Sequence, residues 1–137
     1  MAGMGRMQSL HELIEQVKTQ SIAGGYLEAG VWRGGMSVFA TAALQVYGMR
    51  QRPVYICDSF KGLPKPRANS LRLNEGFYAS KAWNASLSVG GVQNVLQNFE
   101  RFGVPTTRVT PVVGYFVDSL PPPVSYTHLT LPTTPYV

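Results

Sequence analysis

The sequence predicts an α/β fold built as one half of a doubly wound sheet, in which parallel strands alternate with helices. Two observations carry this prediction. Short β-rich runs alternate with helix-compatible stretches in the order β-α-β-α-β, and a glycine-rich turn joins the first run to a helix. The chain has 137 residues, of which 45% are apolar, so it has room for one domain with one core.

An amphipathic helix is expected first, over residues 9–20. Four apolar residues recur there at helical spacing: Leu10, Leu13, Ile14 and Val17. Ser9 is available to cap the start of this helix, and Gly24 and Gly25 are expected to end it.

A strand, a turn, a helix and a second strand follow. Tyr26–Ala29 is expected to be a short buried strand, and residues 30–35 form the glycine-rich turn. Residues 36–47 are an uninterrupted helix-compatible run, and the β-rich residues 53–57 end at Asp58. Together they predict a βαβ unit, which should be right-handed and parallel.

The second half of the chain begins with a long irregular segment. Residues 60–85 contain prolines, glycines and single charges without sustained periodicity, and a loop this long in a compact domain is usually a functional lid or disordered. A helical stripe then resumes, formed by Val89, Val92, Val95, Leu96, Phe99 and Phe102. Gly103 is expected to stop it, before a third strand over residues 108–113 and a short helical turn over residues 115–120.

Charge and composition exclude several function classes. The net charge is +5, but Lys and Arg are scattered singly, without the basic run or aromatic motif of a nucleic-acid-binding module, so no nucleic-acid partner is expected. The first twenty residues lack the apolar run of a signal peptide, and no stretch approaches the roughly 18 apolar residues that span a bilayer. We therefore expect a cytoplasmic protein with no membrane partner. Cys57, the single cysteine, is expected to be a buried structural thiol.

The glycine-rich turn is the first candidate ligand site. Its pattern is Glu28-x-Gly30-x-x-x-Gly34-Gly35, which is neither the Gly-x-Gly-x-x-Gly of dinucleotide binders nor a P-loop. A glycine turn before a helix lets the backbone approach a ligand closely, and an acid at this position suits a ligand with a positive charge. S-adenosylmethionine carries an ammonium and a sulfonium, and Glu28 could hold its amino-acid end directly or through water while Gly30 and Gly34 leave space for it.

Asp58 is the second signal, because a carboxylate at the end of the second strand can accept hydrogen bonds from both hydroxyls of a ribose. Each signal alone also fits a structural role, as a turn glycine or a turn-forming aspartate. Their order within one βαβ unit favours a nucleoside cofactor. Two alternatives stay open: a fragment of an NAD-dependent oxidoreductase, which the missing middle glycine disfavours, and a non-catalytic α/β interaction module with purely structural glycines.

Four segments together resemble the macrocin O-methyltransferase family. They are residues 26–35 (Tyr-Leu-Glu-Ala-Gly-Val-Trp-Arg-Gly-Gly), 57–64 (Cys-Asp-Ser-Phe-Lys-Gly-Leu-Pro), 98–103 (Asn-Phe-Glu-Arg-Phe-Gly) and 114–121 (Gly-Tyr-Phe-Val-Asp-Ser-Leu-Pro). The resemblance spans residues 9–121. It implies a Rossmann-like class I methyltransferase fold and S-adenosylmethionine-dependent O-methylation of a hydroxyl, typically on a sugar of a natural product, with a divalent metal, usually magnesium.

The resemblance also implies roles for individual residues. The methionine end of the cofactor would be lined by Glu28, Gly30, Val31, Trp32 and Gly34, and the ribose would be held by Asp58 and Ser59. Gly114, Tyr115 and Phe116 would lie near the adenine, although these aromatic residues fit core packing equally well. Residues 60–83 would form the lid over the substrate, where Arg67, Arg72, Tyr78 and Trp83 could meet a glycoside acceptor. Solvated surface charge is the alternative for the lid arginines, and the oligomeric state, a homo-oligomer included, is open.

The aspartate-rich motifs that bind the metal in this family have no counterpart here. We therefore expect no catalytic or metal-binding residue in this chain, and we divide it into residues 1–123, the N-terminal part of a methyltransferase domain truncated after about the third strand, and a non-native tail over residues 124–137. His128 lies in that tail and is assigned no role, and Asp118 and Glu75 are stray acids. The first strand should be left with an unpaired edge, so this polypeptide is expected to be marginally stable and inactive.

Overall fold

The computed structural model describes residues 3–62 and 90–120. These residues form four helices and three strands in the order α1 Met4–Thr19, β1 Tyr26–Ala29, α2 Gly35–Val46, β2 Val54–Asp58, α3 Val92–Arg101, β3 Val109–Val113 and α4 Phe116–Ser119. The alternation predicted from the sequence is confirmed, and so is the short helical turn after the third strand.

The three strands form one parallel sheet in the order β1-β2-β3. Glu28 of β1 lies opposite Ile56 of β2, and Ile56 in turn lies opposite Pro111 of β3. Proline has no N–H to donate and is tolerated where a strand faces no further neighbour, as β3 does among the described residues. On the other side, β1 is likewise an edge among the described residues. The parallel order places the carboxyl ends of all three strands at the same edge of the sheet.

The core lies between the sheet and the helices that pack on it. Its most deeply buried members include Val54, Ile56, Val95 and Phe99, and α2 contributes Val38, Ala40, Ala43 and Leu44. α1 packs against α2, and α2 also packs against α3. Cys57 is buried and burial raises the pKa of its thiol, which confirms the structural role expected from the sequence.

α1 differs most from the sequence prediction. It begins at Met4 after the N-cap residue Gly3, and the Ser9 hydroxyl, expected to cap a helix start, donates instead to the carbonyl of Gly5 inside the helix (3.0 Å). Leu13 was expected on the buried stripe but is 53% exposed, so only Ile14 is fully buried on this helix. The prediction of the boundary and of the full apolar face was therefore wrong.

α1 and α3 end in the same backbone motif. After α3, the N–H of Gly103 bonds to the carbonyl of Glu100 and the N–H of Val104 bonds to that of Phe99 (both 2.9 Å), the two bonds of a Schellman cap. α1 ends in the same way, but Ser21 adopts the left-handed conformation (φ 53°) in place of a glycine. Gly103 was predicted correctly, whereas the stop expected at Gly24 and Gly25 occurs earlier.

Two further sequence expectations concern the helix over residues 92–101. Phe102, assigned to its apolar stripe, is the C-cap residue and is 73% exposed, so it lies outside the core. Val89 lies outside the described residues, as do the long segment after Gly62 and the tail over residues 124–137. In the described residues, no helix is long and apolar enough to cross a membrane.

Candidate functional site

The carboxyl ends of the three strands bring the predicted cofactor residues together. Gly30, which follows β1, donates its N–H to the carbonyl of Cys57 in β2 (2.9 Å). Gly114, which follows β3, donates its N–H to the carbonyl of Asp58 (3.0 Å). The glycine turn, the aspartate and the segment after β3 therefore meet at one edge of the sheet, as their positions in a βαβ fold predict.

The glycine turn enters α2 through residues with positive φ. Gly30 has φ 83°, Trp32 has φ 47° and Gly34, the N-cap residue of α2, has φ 77°. The N–H of Gly34 bonds to the carbonyl of Val31 (2.8 Å), and the carbonyl of Gly34 accepts the N–H of Val38 (2.8 Å). The turn thus leads directly into the first turn of a helix, where the first N–H groups have no carbonyl partner within the helix itself.

The two glycines predicted to leave space for a ligand do different things. A Cβ added to Gly30 would meet nothing within 4 Å, so this position is open. A Cβ added to Gly34 would lie 2.6 Å from Cγ1 of Val95, which is completely buried in α3. The space at Gly34 is filled by a neighbouring helix, which corrects the expectation that this glycine leaves space for a ligand. Gly34 instead permits helix packing and a left-handed backbone.

Asp58 holds the glycine turn in place. Its Oδ2 accepts the N–H groups of Val31 (2.8 Å) and Trp32 (3.2 Å), and its Oδ1 accepts the N–H of Phe60 (2.9 Å). An ionised carboxylate has about four acceptor positions, so three N–H partners leave capacity for a ligand hydroxyl. The carboxylate predicted from the sequence to bind ribose therefore also ties the end of β2 to the turn after β1.

Ser59 is more occupied than its predicted role requires. Its hydroxyl donates to the carbonyl of Gly62 (2.8 Å) and accepts the N–H of Lys61 (3.2 Å), and the side chain is buried. The hydroxyl proton is used within the chain, so a ligand at this position can donate to the oxygen but not receive from it without a rearrangement.

Glu28 is the second carboxylate of the site, beside Asp58. It is half-buried at the end of β1, and its Oε2 accepts a hydrogen bond from the hydroxyl of Ser37 in α2. Burial raises the pKa of Glu28 to about 7, the Ser37 hydroxyl opposes this rise, and the nearby Asp58 carboxylate adds to it. A group with this pKa changes charge near neutral pH, which is typical of carboxyls that meet ligands.

Ser37 was missed by the sequence analysis. The only signal was a serine in the first turn of the helix after the glycine turn, and such serines commonly bond to the backbone of their own helix. The direction of its side chain, toward β1, depends on how α2 packs on the sheet.

The residues flanking the site differ in their exposure. The Val31 side chain is in the core, so this residue can offer a ligand only its backbone. Trp32 is 40% exposed, and the Arg33 guanidinium lies over its ring at 5.0 Å. Tyr115 and Phe116 are both partly exposed in the described part of the chain, and their place near the adenine stays a prediction.

Several predicted features lie elsewhere. The lid residues Arg67, Arg72, Tyr78 and Trp83 are outside the described residues. Within residues 3–62 and 90–120, no group of three or more His, Cys, Asp or Glu side chains could hold a metal ion. A cleft of about 320 Å³ lies at the amino ends of β2 and β3, lined by residues that include Val54, Arg108, Leu44 and Met49. None of the predicted site residues lines this cleft, so it is separate from the candidate site.

Solved structures with the same fold are methyltransferases. The O-methyltransferase NovP superposes with a TM-score of 0.76 at 28% sequence identity, over 88% of this chain and 49% of that chain. CalS11, a calicheamicin methyltransferase, superposes with a TM-score of 0.55 at 25% identity, over 85% of this chain and 46% of that one. The parallel sheet with its glycine turn is therefore the α/β fold of the O-methyltransferases.

Within that class, the chain belongs to the macrocin O-methyltransferase family. The family described as Macrocin-O-methyltransferase (TylF) matches residues 1–131. The match runs past Pro121, where the resemblance seen in the sequence ended, and into residues 124–131 of the expected tail. The tail lies outside the described residues, and its foreign origin stays a prediction.

Two curated relatives illustrate the family. The 8-demethyl-8-(2,3-dimethoxy-alpha-L-rhamnosyl)-tetracenomycin-C 4'-O-methyltransferase of Streptomyces olivaceus is 36% identical over 127 residues, covering 88% of this chain and 46% of that protein. The Mycinamicin III 3''-O-methyltransferase of Micromonospora griseorubida is 34% identical over 127 residues, covering 88% of this chain and 48% of that protein. The chain spans about half the length of these relatives.

Proposed function

We propose that this chain forms the S-adenosylmethionine-binding part of an O-methyltransferase that acts on a hydroxyl of a natural-product glycoside. The observation that carries the proposal is the position of the Glu28 carboxylate beside the open turn at Gly30, with Asp58 at the end of the next strand. An anion, a close backbone approach and a second carboxylate with spare acceptor capacity match the ammonium, the amino-acid backbone and the ribose of that cofactor.

Each residue has a separate task in this proposal. Glu28, when ionised, binds the ammonium; Gly30 lets the ligand approach the backbone, because no side chain lies over it. Asp58 accepts a ribose hydroxyl, while its bonds to Val31 and Trp32 keep the turn in shape. The cofactor itself supplies a methyl group on a sulfonium, which a hydroxyl oxygen of the acceptor attacks. Tyr115 and Phe116 offer partly exposed rings for the adenine.

Sugar acceptors are supported by the relatives, whose names specify methylation of positions written 4' and 3''. The described residues do not fit a magnesium site, because they contain no cluster of ligating side chains, so the proposal routes no step through a metal. We expect the 137 residues alone to bind the cofactor without transferring its methyl group. Methyl transfer from labelled S-adenosylmethionine to a glycoside acceptor by this chain alone would contradict that expectation.

NAD is disfavoured by a specific feature of the turn. In the Gly-x-Gly-x-x-Gly pattern the middle glycine lets the backbone approach a pyrophosphate. Trp32 occupies that position here, with a 40% exposed side chain and the Arg33 guanidinium over its ring. A bulky indole at this place obstructs a pyrophosphate but leaves the turn at Gly30 free.

Isothermal titration with S-adenosylhomocysteine and with NAD tests the proposal. S-adenosylhomocysteine should bind, NAD should not, and Glu28→Gln should weaken the binding by about tenfold or more, the effect of losing one charge-assisted contact. Glu15→Gln, on the exposed face of α1, is the matched control and should bind as the unaltered chain does. No binding of S-adenosylhomocysteine would refute the proposal, and tighter binding of NAD would favour the oxidoreductase alternative.

A further inference from the structure

Ser37 is a buried hydroxyl whose partner is the candidate ligand-binding carboxylate. It is the third residue of α2 and has no exposed surface, and its hydroxyl donates to Oε2 of Glu28. A serine in the first turn of a helix can bond to its own backbone. Here it bonds across to β1, which fixes one oxygen of the Glu28 side chain from the helix that follows the glycine turn.

We propose that Ser37 is a positioning residue that orients the Glu28 carboxylate and keeps it ionised for the cofactor's ammonium. This inference rests on the proposed function, because it assigns Glu28 that ligand. Ser37 itself need not touch the cofactor. Its effect would be exerted through the carboxylate that it holds.

The surroundings of Glu28 explain why such a donor matters. Among its neighbours, Asp58 from β2 is a second acid and Tyr26 from β1 is a buried phenol, so neither brings a positive charge. α2, which supplies Ser37, contains no charged residue. Ser37 is therefore the residue of these elements that donates to the carboxylate, chiefly through its hydroxyl and also through its backbone N–H. A hydrogen bond to the charged form of an acid favours that form.

A dependence of ligand affinity on pH follows. The pKa of Glu28 is raised to about 7 by burial, and the Ser37 bond works in the opposite direction. Ligand affinity should increase as pH rises through the range in which Glu28 ionises, and should then level off. Removal of the Ser37 hydroxyl should move this transition to higher pH, because the carboxyl then loses the stronger of its two Ser37 donors and keeps only the backbone N–H.

The experiment is a titration with S-adenosylhomocysteine at several pH values, from about 5.5 to about 8, in which the ligand's amino group stays largely protonated. Ser37→Ala should shift the affinity transition upward by about one pH unit and weaken binding about tenfold at neutral pH, with partial recovery at the alkaline end. Ser37→Cys, which keeps nearly the same volume but is a weak donor, should behave as the alanine variant does.

Thr41→Val is the matched control. Thr41 lies one turn further along α2, is also buried, and donates its hydroxyl to the carbonyl of Ser37 (2.7 Å) without contacting Glu28. This variant loses a buried hydroxyl from the same helix at equal shape, so it should leave the pH transition where it is in the unaltered chain. In a Glu28→Gln background, Ser37→Ala should cause no pH shift, because no titrating group is left for the hydroxyl to act on.

The outcomes are distinguishable. An unaltered chain that fails to bind S-adenosylhomocysteine refutes the proposed function. If the unaltered chain binds and both Ser37 variants keep its affinity and pH transition, the proposed function survives and the role of Ser37 is wrong. A pH-independent loss of affinity in Ser37→Cys, or an equal pH shift in Thr41→Val, would show that the hydroxyls act only through packing. Should Ser37→Ala fail to fold, the Cys variant decides.

Discussion

Gly30 and Gly34 belong to the same turn and both have positive φ, yet replacing each by alanine should have different consequences. At Gly34 the new Cβ would lie 2.6 Å from Cγ1 of Val95, whereas at Gly30 it would meet nothing within 4 Å. Gly34→Ala should therefore destabilise the fold strongly, while Gly30→Ala should destabilise it mildly and act mainly on ligand binding.

The magnitude has two parts. A left-handed backbone costs an alanine about 1–2 kcal/mol, part of which is offset by about 0.4–1 kcal/mol because alanine restricts the unfolded chain. At Gly34 an overpacking term of about 1–3 kcal/mol is added, since Val95 is buried and its β-branched side chain has one strongly preferred rotamer in a helix. We expect about 1 kcal/mol for Gly30→Ala and about 2–4 kcal/mol for Gly34→Ala.

Urea unfolding followed by circular dichroism measures both values, and Val95→Ala supplies the test of cause. If the contact with Val95 is responsible, Gly34→Ala should cost less in the Val95→Ala background, with a coupling of about 0.5–3 kcal/mol. Gly30→Ala should show no coupling to Val95. Equal destabilisation by the two glycine substitutions, or additivity of Gly34→Ala and Val95→Ala, would refute this reasoning.

Three further predictions concern charge and backbone. Burial raises the pKa of Glu28 from 4.5 to about 7, so the folded chain holds this proton more tightly than the unfolded chain does; stability should fall by about 3 kcal/mol as the pH rises from about 4.5 to about 7. Glu28→Gln should remove most of this dependence of stability on pH, as measured by urea midpoints at several pH values. An unchanged dependence would contradict the raised pKa of Glu28. Both carboxylate oxygens of Asp58 accept backbone N–H groups, so the NH₂ group of Asp58→Asn would face one of these donors. This substitution should lower the free energy of unfolding by about 1–3 kcal/mol in the same assay. An unchanged free energy of unfolding would mean that the bond to Val31 contributes little. Ser21 ends α1 with φ 53°, a conformation that glycine adopts more readily, so Ser21→Gly should increase the free energy of unfolding by about 0.5–1 kcal/mol and raise the melting temperature. A lower melting temperature would contradict the strain at that position.

The strands and the glycine turn could be predicted because their signals are local. A β-rich run, a glycine-rich turn and an aspartate at the end of a strand are all properties of short segments. The position of Asp58 next to the turn followed from the parallel order of strands in a βαβ unit, which has few alternatives. Its hydrogen bonds to Val31 and Trp32 could not be predicted, because they depend on the side-chain rotamer.

What the sequence did not predict depends on tertiary packing. Leu13 and Phe102 match the helical period but are exposed, because the face that a helix buries is set by its neighbours as well as by its own pattern. The role of Gly34 required knowing that Val95 packs over it, and that of Ser37 required knowing how α2 lies on β1. Ser21 ended α1 without the glycine that usually marks such a position.

The bonds from Asp58 to the turn affect how a ligand would be received. Ordering a backbone costs about 1–2 kcal/mol per residue in conformational entropy, and the Asp58 bonds to Val31 and Trp32 offset part of this cost from within the fold. A ligand that meets a preorganised backbone can devote its contacts to affinity instead of ordering the receptor. If the cofactor binds at this turn as proposed, an analogue that lacks one of its groups should lose that group's contact without loosening the rest.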